Sequence, residues 1–347
     1  MAKFRILTPA GASFTTAGGG YDFELEALRG LDAEIVEAPA SEAEFAEAAK
    51  DADAIYGKGI PITAKIISGL TRCRVIALGS VGVDSVDIAA ATAAGIPVTN
   101  VPDTFIEEVA DHAMTLMLSG FRRVVEQDRM VRTGRWREGR PALLQHPRLM
   151  GLTLGFVAFG HVARAMAVRA RPFGLRMLGF DPYIEELVMP PYGVLPATLE
   201  EVLSQSDFVS MHAPATPEAA GMLTEKHFRM MKPSAIFINT GRGTTVDEQA
   251  LITALQQGWI AGAALDVLEV EPPRQDNPLL GMDNVILSAH VASASARFDP
   301  ARKRRVGQEL ALALSDRWPM SCVNPAVLSR LSSRRWQPLS MERGPNS

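Results

Sequence analysis

The chain has 347 residues, 47% of them hydrophobic and 21% charged, with a formal net charge of -4. That balance excludes a disordered protein, and the length exceeds one ordinary hydrophobic core, so two domains are expected. No block of like charge persists and no apolar run is long enough to cross a bilayer, which argues against nucleic-acid and membrane partners. Cys73 and Cys322 stand alone without metal-type spacing. Neither a disulfide framework nor a bound metal is predicted, and a reducing compartment fits. The opening residues MAKFRILTPAGASF hold no long apolar stretch of the signal-peptide kind, so the expectation is a cytoplasmic protein.

In chain order, residues 4–8 (FRILT) and 33–38 (AEIVEA) read as short strands. An acidic, alanine-rich helix follows at 41–53, then strand-like runs at 54–56, 75–78 and 96–98. Strands alternating with helical stretches are the pattern of βαβ units and a parallel sheet. Pro102 closes this first series. Residues 106–132 place Val109, Ala113, Leu116, Met117 and Phe121 at helical spacing and are expected as one long helix. A loop rich in Arg, Gly and Pro leads to a second series, with strands at 152–157, 177–180, 208–210, 235–238, 263–265 and 285–287. These runs are apolar on both faces, as a sheet covered by helices on each side requires. A helix at 302–315 is expected to return to the first series. The expected fold is α/β, with two doubly wound parallel-sheet (Rossmann-like) domains. Residues 1–103 and 292–330 form a discontinuous domain, 104–291 form the other, and 331–347 make a polar, loosely ordered tail.

After the strand at 152–157 comes Ala158-Phe159-Gly160-His161-Val162-Ala163, opening a helix where a G-x-G-x-x-G fingerprint would stand. Alanine takes the first and third glycine positions. The third tolerates it, because only close helix–strand packing is needed there. The first makes a tight turn, and a positive φ at Ala158 would cost roughly 1–2 kcal/mol. Gly160 keeps the position at which backbone approaches a pyrophosphate. The next strand ends at Asp181, near the spacing of about 20 residues expected of a carboxylate on the adenosine ribose hydroxyls. A carboxylate there repels a 2′-phosphate, which predicts NAD rather than NADP. The plainer reading of Asp181 is a cap on the turn Asp181-Pro182-Tyr183.

Three further segments at strand ends carry charge where such a sheet binds ligands: 239–243 (NTGRG), 266–272 and 288–290 (SAH). One Arg, one Glu and one His suit hydride transfer to a keto acid. An Arg fork can bind a carboxylate and polarise the neighbouring carbonyl. A His can give the carbonyl oxygen its proton, with a carboxylate behind it to orient the ring.

These segments are joined by Val81-Gly82-Val83-Asp84-Ser85-Val86-Asp87, 95–102 (GIPVTNVP), 107–112 (EEVADH), Met231-Lys232-Pro233, Val246-Asp247 and Ala264-Leu265-Asp266-Val267. Together they resemble the D-isomer-specific 2-hydroxyacid dehydrogenases, over residues 1 to about 327. The resemblance implies an NAD-dependent oxidoreductase that interconverts a small 2-keto acid and its D-2-hydroxy acid. It implies that Arg242 binds the substrate carboxylate and carbonyl, that His290 is the acid/base, and that Glu271 pairs with it. Glu271 is chosen over Glu269 because the family's acid directly precedes a proline. Backbone amides near Val81 and Gly82 would hold the carboxylate. His161 and Val162, beside Gly160, would meet the pyrophosphate and Asp181 the ribose. Thr216, Thr240, Gly241 and Asp266 would line the rest of the dinucleotide groove. The discontinuous domain becomes the substrate domain and 104–291 the NAD domain, through which a homodimer forms with the 106–132 helix at its interface.

The chain departs from the family pattern at Ala158, at Ala289 (usually Pro), at Gly241 (usually a small side chain) and at Ile106 (commonly a small hydroxyl residue). No catalytic group is lost, but the subfamily and the substrate stay open. Relatives acting on phosphorylated hydroxy acids or phosphite are alternatives, as is an NAD-sensing, corepressor-like regulator of the same fold. No separate effector domain is expected after the core, which argues against the allosterically regulated phosphoglycerate dehydrogenases. Other residues read more plainly. His112, His146 and His227 read as structural, and His212 as structural or as lining an adenine pocket. Lys58, between Gly57 and Gly59, reads as a solvated loop lysine or as a group reaching a second acidic group on the substrate. Arg302, Lys303, Arg304 and Arg305 read as a solvated helix face, and Met166, Met230 and Met231 as core filler. The glycines flanking Arg242 read as clearing space for a ligand.

Overall fold

The computed structural model describes residues 4–11, 20–144 and 146–334. The chain divides into two compact units, Met1–Thr104 with Ala296–Ser347, and Phe105–Ser295. Most of the tail expected at 331–347 lies outside the described residues. Its start is tied down: Arg334 bridges Arg317, with the Trp318 N–H donating to the Arg334 carbonyl.

In the first unit, β1 (Phe4–Pro9), β2 (Ala33–Ala38), β3 (Ala54–Gly57), β4 (Ile76–Leu78) and β5 (Val98–Thr99) form a parallel sheet in the order β2-β1-β3-β4-β5. This is one of the two common doubly wound orders. Alternation along the strands separates the faces. Leu7, Ile55, Ile76, Leu78 and Val98 pack with Phe45, Ile66 and Ala91 of the helices Glu42–Ala49, Ala64–Ser68 and Ile88–Ala93. The other face carries Tyr56 and lies under the return helix Phe298–Leu314, against which the helix Asp22–Ala27 packs.

The return helix corrects one expectation. Arg302 and Lys303 are buried, at 5% and 9% exposure, Arg305 is partly buried, and only Arg304 is exposed. Residues 302, 303, 306, 307 and 310 share one helical face, and Val306 and Leu310 turn that face inward.

In the second unit, β6 (Thr153–Val157), β7 (Arg176–Phe180), β8 (Leu195–Pro196), β9 (Phe208–Met211), β10 (Ile236–Asn239), β11 (Gly262–Leu265) and β12 (Val285–Leu287) form a parallel sheet in the order β12-β11-β10-β9-β6-β7-β8. Phe208, Ile236, Ile238 and Ala264 face one core, while Val209, Phe237, Ala263 and Leu265 face the other. Both faces are therefore covered, which is why these strands are apolar throughout. β8 has no counterpart in the sequence reading: two residues show no period, and its proline is tolerated at a sheet edge. The winding reverses between β6 and β9, so their carboxyl ends flank a topological switch point, where ligands of such sheets bind.

The segment at 106–132 is two helices, Ile106–Phe121 and Val124–Arg132, rather than one. Arg123 stands between them at φ 51, and its N–H donates to the Gly120 carbonyl at 3.1 Å. A left-handed residue ends the first helix by turning its amide back on the last turn. Val124, Val125 and Val131 keep the apolar pattern going across the break, but they are exposed. Among the described residues no helix is long and apolar enough to cross a membrane.

Candidate active site

At the end of β6 the tight turn falls on Ala158, whose φ is 68. The strain foreseen for an alanine at the first glycine position is present, at roughly 1–2 kcal/mol. The helix His161–Ala170 starts after Gly160 and has no side-chain cap, so its first N–H groups are left for an anion. A Cβ built on Gly160 would meet nothing within 4 Å, so packing within the chain does not demand a glycine there. Bare space at this point suits a pyrophosphate. At the end of β7, Asp181 accepts from the Tyr183 N–H and from the Phe159 N–H, both at 2.8 Å. It caps its own turn, as the plainer reading held, and also fastens the fingerprint loop beside it. The carboxylate keeps lone pairs for a ribose diol. After β10, the Thr240 hydroxyl is buried without a partner among the described residues. Thr216 holds its own turn, accepting from the Ala219 N–H at 3.3 Å. Bare Gly160, the uncapped helix and the orphaned Thr240 hydroxyl together fit a dinucleotide.

The Arg242 turn is set by Asn239, which accepts from the Gly241 N–H at 3.0 Å and donates to the Arg242 carbonyl at 3.1 Å. The Arg242 guanidinium donates to the Gly241 carbonyl at 2.9 Å. Gly243 does not clear space for a ligand: a Cβ there would overlap the Leu268 carbonyl. Its bareness lets the turn after β10 press against the loop after β11. In that loop the Leu268 N–H donates to Glu271 Oε1 at 3.0 Å, and Glu271 Oε2 lies 2.6 Å from His290 Nδ1. The Glu269 N–H instead donates to Glu248, and the carboxylate on His290 is that of Glu271.

His290 has a φ of 51, held by Asp266. The His290 N–H donates to the Asp266 carbonyl at 2.9 Å, and the buried Asp266 carboxylate accepts from the Val291 and Ala292 N–H groups and from Ser288 Oγ. Asp266 therefore shapes the turn that carries His290. His112 joins this network, with Nε2 2.9 Å from Ser288 Oγ and 3.4 Å from Asp266 Oδ1. Sequence reading missed Ser288 and the role of His112, whose only signal was the EEVADH stretch. His227 is structural, its Nδ1 accepting from the Thr224 N–H at 3.1 Å.

In the first unit, Ser80 Oγ donates to the Gly82 carbonyl and Asn100 Nδ2 to the Val81 carbonyl, both at 2.7 Å. With its carbonyls held this way, the loop after β4 presents the Val81 and Gly82 amides, which have no acceptor among the described residues.

His212 follows β9, and its N–H donates to Val157 at the switch point, while Nε2 lies 2.8 Å from Ser210 Oγ. Burial pushes this imidazole down to about 4. The unfolded chain takes up a proton near pH 6.5, so stability is lost as pH falls from there toward 4. The loss is expected to reach about 2–3 kcal/mol. The melting temperature of the native chain should therefore fall more steeply between pH 7 and pH 4.5 than that of His212→Gln. Parallel curves would show that His212 is not the group responsible.

Residues 114–292, more than half of the chain, match the family model for the D-isomer specific 2-hydroxyacid dehydrogenase NAD binding domain. The chain belongs to the D-isomer-specific 2-hydroxyacid dehydrogenase family. A glyoxylate reductase of Korarchaeum cryptofilum is 41% identical over 299 residues, covering 84% of this chain and 89% of that protein. One from Pyrococcus furiosus is 38% identical over 289 residues, covering 81% and 85%. Among solved structures, an NADPH-dependent glyoxylate/hydroxypyruvate reductase of Sinorhizobium meliloti superposes with a TM-score of 0.79 at 31% identity, covering 97% of this chain and 99% of that one. This dehydrogenase is thus an oxidoreductase of 2-keto and 2-hydroxy acids that works with a nicotinamide cofactor.

Proposed function

We propose that the dehydrogenase reduces a small 2-keto acid to its D-2-hydroxy acid with NADH, in the cytoplasm, using His290, Glu271 and Arg242. The observation that carries this reading is the 2.6 Å contact between His290 Nδ1 and Glu271 Oε2 at adjacent strand ends. With Nδ1 engaged, Nε2 is the atom left to give a proton to the carbonyl oxygen. Glu271, itself anchored by the Leu268 amide, holds the ring in place and balances its charge. Arg242 binds the carboxylate and draws electron density from the carbonyl. The Val81 and Gly82 amides take the remaining carboxylate oxygen. The bound nicotinamide supplies the hydride to C2. Free Cys73 and Cys322 suit a reducing compartment.

The test is NADH oxidation with glyoxylate, hydroxypyruvate and phenylpyruvate. Turnover of at least one supports the proposal. Tight NADH binding without turnover of any would point to an NAD-sensing regulator instead.

NADH should exceed NADPH in kcat/KM by at least about tenfold, because a 2′-phosphate would meet the Asp181 carboxylate in a partly desolvated site. No Lys or Arg occurs in residues 181–192 to receive that phosphate. Equal values for the two cofactors would sink the assignment, and Asp181→Ser should narrow the gap.

We propose also that the dehydrogenase is a homodimer through its second unit. Val125, Val131, Trp136 and Leu144 are exposed there, Trp136 at 74%. Such apolar side chains, close in sequence, are what an interface would cover. Sedimentation should give twice the chain mass, and Val125→Asp with Trp136→Glu should give the single mass. A monomeric native chain would overturn it.

A further inference from the structure

One row across a covered face of the first unit's sheet carries polar groups where apolar ones would be expected. Tyr56 opposes Ala77, which opposes Thr99, and Thr8 lies one step beyond the Leu7–Ile55 pair. Thr8, Tyr56, Ala77 and Thr99 thus form one row across four strands, and Lys58 follows Tyr56 with the same side-chain parity. The helices over this face add Glu24, Arg302 and Lys303, all buried. Thr8, Glu24 and Thr99 are fully buried, and both hydroxyls and both Glu24 carboxylate oxygens have no hydrogen-bond partner among the described residues. Each such oxygen costs about 1–3 kcal/mol, so the fold bears a cost to keep this row polar, and Glu24 lies beside Tyr56, Arg302 and Lys303.

The charges say what kind of group. Arg302 is paired with Asp299 at 2.8 Å. Among the described residues no carboxylate lies within 4 Å of Lys58 or Lys303. Lys58 Nζ makes one hydrogen bond, to Tyr21 Oη at 3.1 Å, and lies 5.0 Å and 5.8 Å from the Tyr21 and Tyr56 ring centres. It is half-buried rather than solvated, and burial pulls its ammonium below the usual lysine range. Burial pushes the Glu24 carboxyl up, against the pull of the nearby Lys303 and Arg302 cations. Arg302, Lys303 and Lys58 share this space with Glu24, with Asp299, which pairs with Arg302, and with Glu37, which is hydrogen-bonded to Tyr21, so the spare hydrogen-bonding capacity lies on Lys58. An ammonium with three donors and one used has room for an oxyanion. The cluster abuts the loop that presents the Val81 and Gly82 amides: a Cβ on Gly79 would lie 3.0 Å from Arg302 Nη1 and 3.4 Å from Tyr56 Oη.

We propose that Lys58, backed by Tyr56, Arg302 and Lys303, forms an anion subsite at the carboxyl end of β3, and that the substrate is a 2-keto acid with a second acidic group, carboxylate or phosphate, at its far end. This rests on the keto-acid reading above. With the first carboxylate on the loop after β4, the far group reaches the neighbouring end of β3.

The test compares kcat/KM for glyoxylate, oxaloacetate and phosphohydroxypyruvate in the native chain, Lys58→Met and Lys58→Arg. The native chain should prefer a doubly acidic keto acid over glyoxylate by at least about tenfold. The ratio should collapse in Lys58→Met and persist in Lys58→Arg. Preference for oxaloacetate identifies a carboxylate, and for phosphohydroxypyruvate a phosphate. A native preference for glyoxylate, or a ratio that Lys58→Met leaves unchanged, overturns the subsite. If no keto acid turns over, the keto-acid reading fails, and melting temperatures decide the subsite. Succinate or inorganic phosphate should then stabilise the native chain more than Lys58→Met, and equal shifts would overturn it.

Discussion

His290→Asn is expected to lower kcat for keto-acid reduction by roughly 10²–10⁴-fold, the range a positioned acid contributes. Asparagine is the informative replacement because the residue sits at φ 51. Asparagine tolerates left-handed backbone, and its side chain is long enough for a polar contact with Glu271. Alanine would add strain to the turn, and a loss of activity could then be a loss of shape. Both variants remove the only ring that can carry a proton to the carbonyl oxygen from this strand end. The Asp266 carboxylate still receives the Val291 and Ala292 amides, so the turn itself has its anchor. NADH affinity, read by fluorescence titration, should stay within a few-fold, because the proposed dinucleotide site is built chiefly on the ends of β6 and β7. A variant retaining more than about a tenth of native kcat would remove His290 from the chemistry.

Arg242→Lys is expected to lower kcat/KM by roughly 10²–10³-fold, since truncating one side of a hydrogen-bonded charge pair costs about 2–5 kcal/mol. The backbone at this position is held independently of the side chain, by Asn239 and by Thr245 Oγ1, which donates to the Arg242 carbonyl at 2.6 Å. Lysine should therefore enter the turn without disturbing it. What it lacks is the planar fork, so it cannot bind the carboxylate and draw on the carbonyl at once. The loss should appear in KM and kcat together. A variant that loses NADH binding yet turns over normally at saturating cofactor would show that Arg242 serves the cofactor instead.

Much of this molecule was legible because its information is local. A parallel sheet covered on both faces makes each central strand an apolar run between turns, so β10 could be read at 235–238, within one residue of where it lies. The fingerprint spacing from Gly160 to Asp181 and the strain on Ala158 were visible because a strand, a turn and a helix follow one another directly. The break at Arg123 was not, because the apolar period of Val124, Val125 and Val131 runs on while the backbone turns. Nor was the inward face of Arg302 and Lys303, since charge on a helix reads as solvent unless its covering is known. His290 and Glu271 are 19 residues apart, and His112 and Ser288 are 176 apart. Periodicity decides which side of its own helix or strand a residue occupies. Only the winding of the sheet brings separate strand ends together, and with them the groups that share a proton or a charge.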